Sequence, residues 1–137
     1  QRSGSDAELA ERLAAEVYGY DHKPDEEDWY DARNPSTDAK MEVKSAHLTV
    51  GENSAEGRFR LWREQLRSLL SSDASGTAWV VFVLFDADQP VAVRRVRPTT
   101  AWSIVTDERT GWNRSGHSEW DGQHKLPVSD VFDPDDV

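Results

Sequence analysis

The chain has 137 residues, with 26 acids against 16 bases for a net charge of -10, and no cysteine. This length suits one domain with a real hydrophobic core, and the lack of cysteine excludes disulfides, thiolate zinc sites and cysteine nucleophiles. The histidines His22, His47, His117 and His124 show no ligand spacing, and there is neither a long apolar run nor a signal-peptide pattern, so the chain reads as a soluble cytoplasmic protein without zinc or a membrane role.

Ser5-Asp-Ala-Glu8 has the spacing of a capping box, which predicts a helix from there to about Tyr18, closed by Gly19. Leu9, Leu13 and Val17 form its expected apolar stripe. A hairpin is expected between Pro24 and Val50, with Trp29–Arg33 pairing with Ala39–Ala46 through the turn chemistry of Asn34-Pro35-Ser36. Successive side chains on a strand alternate faces, so Glu42 and Lys44 emerge on one side and Met41, Val43 and Ser45 on the other. The hairpin register then brings Asp31 opposite Glu42, at a cross-strand distance of about 5 Å. Two carboxylates beside one amine suit a hard divalent cation such as Mg²⁺, with the ammonium free to hold or deprotonate a water or to neutralise a phosphate oxygen. By itself the acid-x-lysine triplet equally describes a solvated ion pair.

Gly51 to Gly57 reads as a loop. A helix is expected from about Arg58 to Leu70, with Phe59, Trp62, Leu66, Leu69 and Leu70 on one face. Arg58, Arg60, Arg63 and Arg67 share that segment with a single acid, Glu64, which makes it either a phosphate-facing surface or a set of ordinary helix ion pairs. After a Ser71–Gly76 connector, Trp79–Phe85 is continuously apolar and valine-rich, as a central strand covered on both faces would be. The chain turns at Asp86–Pro90, Val91–Val96 returns as a strand carrying Arg94 and Arg95, with Arg97 just beyond, and Thr99–Val105 is a short strand or helix. From Gly111 to Phe132, Ser-Gly and Asp-Gly turns suggest short strands. There Trp112, Trp120, Arg114, His117 and His124 either contact bases and sugars or, in the case of the tryptophans, cap a hydrophobic edge. Asp133–Val137 reads as a frayed acidic tail.

Five segments together resemble the PD-(D/E)-x-K nuclease superfamily, in particular the core of archaeal Holliday-junction resolvases. They are Gly4-Ser-Asp-Ala-Glu8, Asp31, Glu42-Val43-Lys44-Ser45, Arg63-Glu-Gln65-Leu66 with Leu69, and Trp79–Phe85, in the family's order and covering Gly4 to about Val105. Tyr30 stands before Asp31 where the family has proline, while a literal Pro24-Asp25 lies upstream, so Asp25 and Asp28 are alternatives to Asp31 as the first metal-binding aspartate. The resemblance implies an α/β, restriction-endonuclease-like core over residues 1–105, with a mixed central sheet flanked by helices, and a C-terminal β extension of the same domain over 106–137. It also implies a Mg²⁺-dependent DNA endonuclease, Mn²⁺ substituting, that leaves a 5′-phosphate and works as a homodimer.

Transferred residue by residue, Asp31, Glu42 and the Val43 carbonyl would bind the metal, and Lys44 would position and activate the attacking water. Glu8, or Glu11 one turn along, would bind the metal or its water shell. Gln65 would reach the active site, and Arg58, Arg60, Arg63 and Arg67 would hold the strand. For Glu8 the capping box is an alternative role, and for Gln65 simple exposure. The whole-chain alternatives are a non-catalytic DNA-binding or assembly domain that keeps the nuclease fold, and an acidic protein-interaction module. The acidity opposes nucleic-acid binding. However, only four of the bases are lysines, an acid-rich, lysine-poor balance expected of halophilic proteins, and at molar salt the Debye length falls to about 3 Å, so distant repulsion vanishes.

Overall fold

The computed structural model describes residues 2–27, 30–50, 55–72, 78–87, 89–107 and 123–132. Its elements are α1 (Arg2–Tyr18), β1 (Asp21–Glu27), β2 (Tyr30–Arg33), β3 (Lys40–His47), β4 (Thr49–Val50), β5 (Ala55–Glu56), β6 (Arg58–Trp62), α2 (Arg63–Ser72), β7 (Ala78–Asp86), β8 (Gln89–Val96), α3 (Pro98–Asp107) and β9 (Gln123–Pro127), followed by a 3₁₀ turn at Val128–Asp130. A five-stranded mixed sheet, in the order β1-β2-β3-β7-β8, forms the centre. Only the β3–β7 pair is parallel, with Glu42 beside Val80 and Lys44 beside Phe82, and α2 provides the crossover that such a pair needs.

The sheet is covered on both faces. On one, Ala10, Ala14 and Ala15 of α1 pack on Ala32, Met41, Val43, Val81, Val83 and Phe85. On the other, α2, α3, β6 and β9 enclose Val80, Phe82 and Leu84 together with Phe59, Leu61, Leu66, Leu69 and Leu126. Strand β7 is thus apolar on both faces, and each of its buried valine, leucine and phenylalanine side chains contributes about 1.5–3 kcal/mol.

Several expectations are corrected. Helix α1 begins at Arg2, so Ser5 lies inside it rather than capping it. Its seated face is the alanine row; Leu9 and Val17 are 45% and 55% exposed, because small side chains let the helix approach the sheet more closely than a leucine stripe would. Gly19 does close the helix, at φ 76°. The expected helix from Arg58 is divided: Arg58–Trp62 is a strand antiparallel to β9, and the helix starts only at Arg63. The loop before it carries the short β4–β5 pair. Thr99–Val105 is helical, and Val128–Asp130 is a 3₁₀ turn rather than a strand. His124 is 7% exposed within β9, which removes it from the candidates for base contact. Trp112, Trp120, Arg114, His117, the acidic tail, Asp28 and most of the Ser71–Gly76 connector lie outside the described residues. Among the described residues, no helix is long and apolar enough to cross a membrane.

Gly57 ties the two layers together. Its N–H donates to the Leu48 carbonyl (3.1 Å), and its own carbonyl accepts from Val128 N–H (3.0 Å). A Cβ at this position would fall far inside contact distance of the His47 backbone carbonyl, which has no freedom to retreat. Gly57→Ala is therefore expected to cost about 1–3 kcal/mol, measured as a lower urea midpoint at unchanged slope.

Candidate active site

The site begins with a turn. Asn34 Oδ1 accepts from the backbone N–H groups of Ser36 (2.9 Å) and Thr37 (3.4 Å), and Asp38 adopts φ 63°, so the chain reverses tightly between β2 and β3. The register pairs Ala32 with Met41 and Arg33 with Lys40, which carries Asp31 to the level of Glu42. There the ladder gives way to a side chain: Asp31 Oδ2 accepts the Val43 N–H at 2.8 Å.

Glu42 is 6% exposed, yet it sits on the face packed by α2 and β6. Leu61, Leu66, Leu69 and Val80 stand around it. Its Oε2 meets Lys44 Nζ at 2.9 Å, while Oε1 is buried with no hydrogen-bond partner. Burial pushes the carboxyl up to about 8; the Lys44 charge opposes this and the nearby Asp31 carboxylate adds to it. Lys44 Nζ also donates to Gln65 Oε1 at 2.9 Å, so the ammonium is gripped from the sheet and from α2 at once.

A cleft of about 320 Å³ opens over this pair. Asp31, Glu42, Val43, Lys44 and Ser45 form its floor, α1 contributes Ala7 and Glu11, and β6 contributes Arg58, Arg60 and Trp62. Of the two acids weighed on the first helix, Glu11 therefore faces the cleft. Glu8 is exposed and paired with Arg12 at 3.0 Å, one turn along. Arg63 and Arg67 lie on α2 beside Glu64, each 3.6 Å from its carboxylate, and do not line the cleft. Asp25 lies on β1.

The sequence pattern marks neither His22, which holds a cleft residue, nor Trp62, which lines the cleft, as part of a site. His22 Nε2 is 2.7 Å from Glu11 Oε1 and fixes that carboxylate from β1. Burial raises the Glu11 carboxyl, the His22 bond lowers it, and the Asp31 charge raises it again. Trp62 was expected on an apolar helix face; the alternation of β6, with Phe59 and Leu61 inward, instead puts it in line with Arg58 and Arg60.

Among the described residues, no group of three or more His, Asp or Glu side chains has metal-binding geometry. The donors that could hold a metal are fewer and all oxygen: the carboxylates of Asp31 on β2 and Glu42 on β3, and the Val43 carbonyl on β3. Such a set suits a hard divalent cation whose shell is completed by water and substrate phosphate. The orphaned, buried Glu42 Oε1 agrees, because an oxygen with no donor nearby gains from a cation.

A mixed sheet between helices with an acid-x-lysine strand at the floor of a cleft defines a restriction-endonuclease-like protein. A family model for the PD-(D/E)XK nuclease superfamily domain matches residues 1–133, and the chain belongs to that superfamily. Its members are nucleases and generally use divalent metal ions. No curated protein matches the chain.

Proposed function

We propose that the chain is a Mg²⁺-dependent DNA endonuclease, with Mn²⁺ as substitute, whose centre is Asp31, Glu42 and Lys44. The observation that carries this reading is the buried Glu42–Lys44 pair, opened on one side to a cleft and left with one carboxylate oxygen unsatisfied. Asp31, Glu42 and the Val43 carbonyl would hold the ion, and Glu11 faces the same space from α1. A divalent ion held there would supply Lewis-acid activation of a water and offset charge on the scissile phosphate. Lys44 holds the attacking water by its ammonium, while Gln65 keeps that ammonium from collapsing fully onto Glu42. The water oxygen bonds to phosphorus and releases a proton to solvent, the bond from phosphorus to the 3′-oxygen breaks, and that oxygen takes a proton from solvent, leaving a 3′-hydroxyl and a 5′-phosphate.

Arg58 and Arg60 are exposed on β6 and line the cleft, adding two cations to the Lys44 ammonium in a strongly acidic chain. Replacing each by glutamine is expected to weaken DNA binding and to lower the slope of log affinity against log salt by about 0.7–0.9 per residue. Fluorescence anisotropy across a salt series measures this. Single-stranded, duplex, flap and four-way DNA, assayed with Mg²⁺ and Mn²⁺ at low and molar salt, test the catalytic reading: cleavage of none of them overturns it. DNA binding without calorimetric metal binding would identify a non-catalytic binding domain instead.

A further inference from the structure

We infer that the cleft takes a locally unpaired DNA strand and stacks one base on Trp62, so that the substrate class is single-stranded or frayed DNA rather than continuous duplex. This rests on the nuclease reading of the same site. Arg58, Arg60 and Trp62 occupy alternate positions of β6 and all reach the cleft. Alternate side chains on a strand are about 6.6–6.8 Å apart, twice the roughly 3.4 Å rise of stacked bases and close to the repeat of an extended, unstacked strand. Two guanidinium groups followed by an indole thus offer two phosphate contacts and then a flat apolar face.

The cleft, about 320 Å³ and open to solvent, has room for a nucleotide laid against Trp62. Trp62 is half-buried and lines both the cleft and the adjoining apolar pocket that Leu61, Gln65, Leu66 and Leu69 share. Stacking on such a ring is tolerant of base identity and is worth about 1–3 kcal/mol per base.

The test uses the full chain with Mg²⁺ and compares a single strand with a blunt duplex of the same sequence. Trp62→Ala is expected to lower kcat/KM on the single strand about 5- to 150-fold and on the duplex far less, whereas Trp62→Phe stays within a few-fold of the parent. Binding is read separately with the Lys44→Ala protein and a strand carrying 2-aminopurine: its fluorescence is expected to be quenched, and the quenching lost when Trp62→Ala is added. Equal losses on strand and duplex, no loss on either, or quenching that survives Trp62→Ala would overturn the proposal. If nothing is cut but Trp62-dependent quenching is present, the stacking site stands and the catalytic reading falls.

Discussion

Lys44→Ala is expected to reduce cleavage about 10²- to 10⁴-fold while leaving DNA affinity within a few-fold of the parent. The reason is geometric. Lys44 Nζ is 2.9 Å from both Glu42 Oε2 and Gln65 Oε1, so the amine is held at the cleft floor, apart from β6, where Arg58 and Arg60 meet the strand. Arginine should not rescue it, because a planar fork cannot occupy the place of a point-like ammonium between two oxygens. Single-turnover cleavage and anisotropy on the same substrate separate the two quantities. Undiminished cutting by Lys44→Ala would show that the reactive water is handled by another group.

Glu42→Gln carries the second large effect, and its sign depends on what is bound. In the native chain the Glu42 carboxyl is raised from its ordinary 4.5 to about 8, so the folded state holds this proton more tightly than the unfolded state does. Its contribution to stability is therefore full below about pH 4.5. It declines by about 1.4 kcal/mol per pH unit as pH rises towards 8, then levels off. The neutral amide has no such slope. In EDTA, Glu42→Gln should match the parent near pH 4.5 and exceed it at pH 8 by several kcal/mol, an order-of-magnitude figure. Mg²⁺ narrows the gap at pH 8 and favours the parent near pH 5: at one hundred times its dissociation constant it should stabilise the parent by about 2.7 kcal/mol and the variant hardly at all. Urea unfolding at pH 5, 6.5 and 8, with and without Mg²⁺, reads both. A pH-independent difference between the two proteins would mean that burial does not govern this carboxyl.

What the sequence made legible was mostly what strand periodicity controls. The alternation of Met41 to Ser45 and the unbroken apolar run of Trp79 to Phe85 fix their own faces, and the Asn34–Asp38 turn sets the register, so the relation of Asp31, Glu42 and Lys44 follows from local rules. Arg58–Trp62 resisted reading because Phe59, Trp62, Leu66 and Leu69 also fit a helical period. The partner that makes it a strand, Gln123–Pro127, lies more than sixty residues away. For α1 the spacing of Leu9, Leu13 and Val17 points to a leucine-valine core face, yet a row of alanines is what fits against a sheet already filled by Met41, Val43 and Val81. With that face identified, Glu11 turns to the cleft and Glu8 to solvent, a choice that no spacing within the helix decides. His22 lacked a signal for the same reason: its partner is eleven residues away, on an element of different period.

The alanine seat of α1 has one more consequence. Because Ala10, Ala14 and Ala15 separate the helix from the sheet by little more than a methyl group, the width of the cavity between Glu11 and the Asp31–Glu42 floor is gauged by the thickness of that single layer. A bulkier spacer at Ala14 would lift the whole rod and widen the gap at its far end, altering the reach across the opening without touching any residue that lines it.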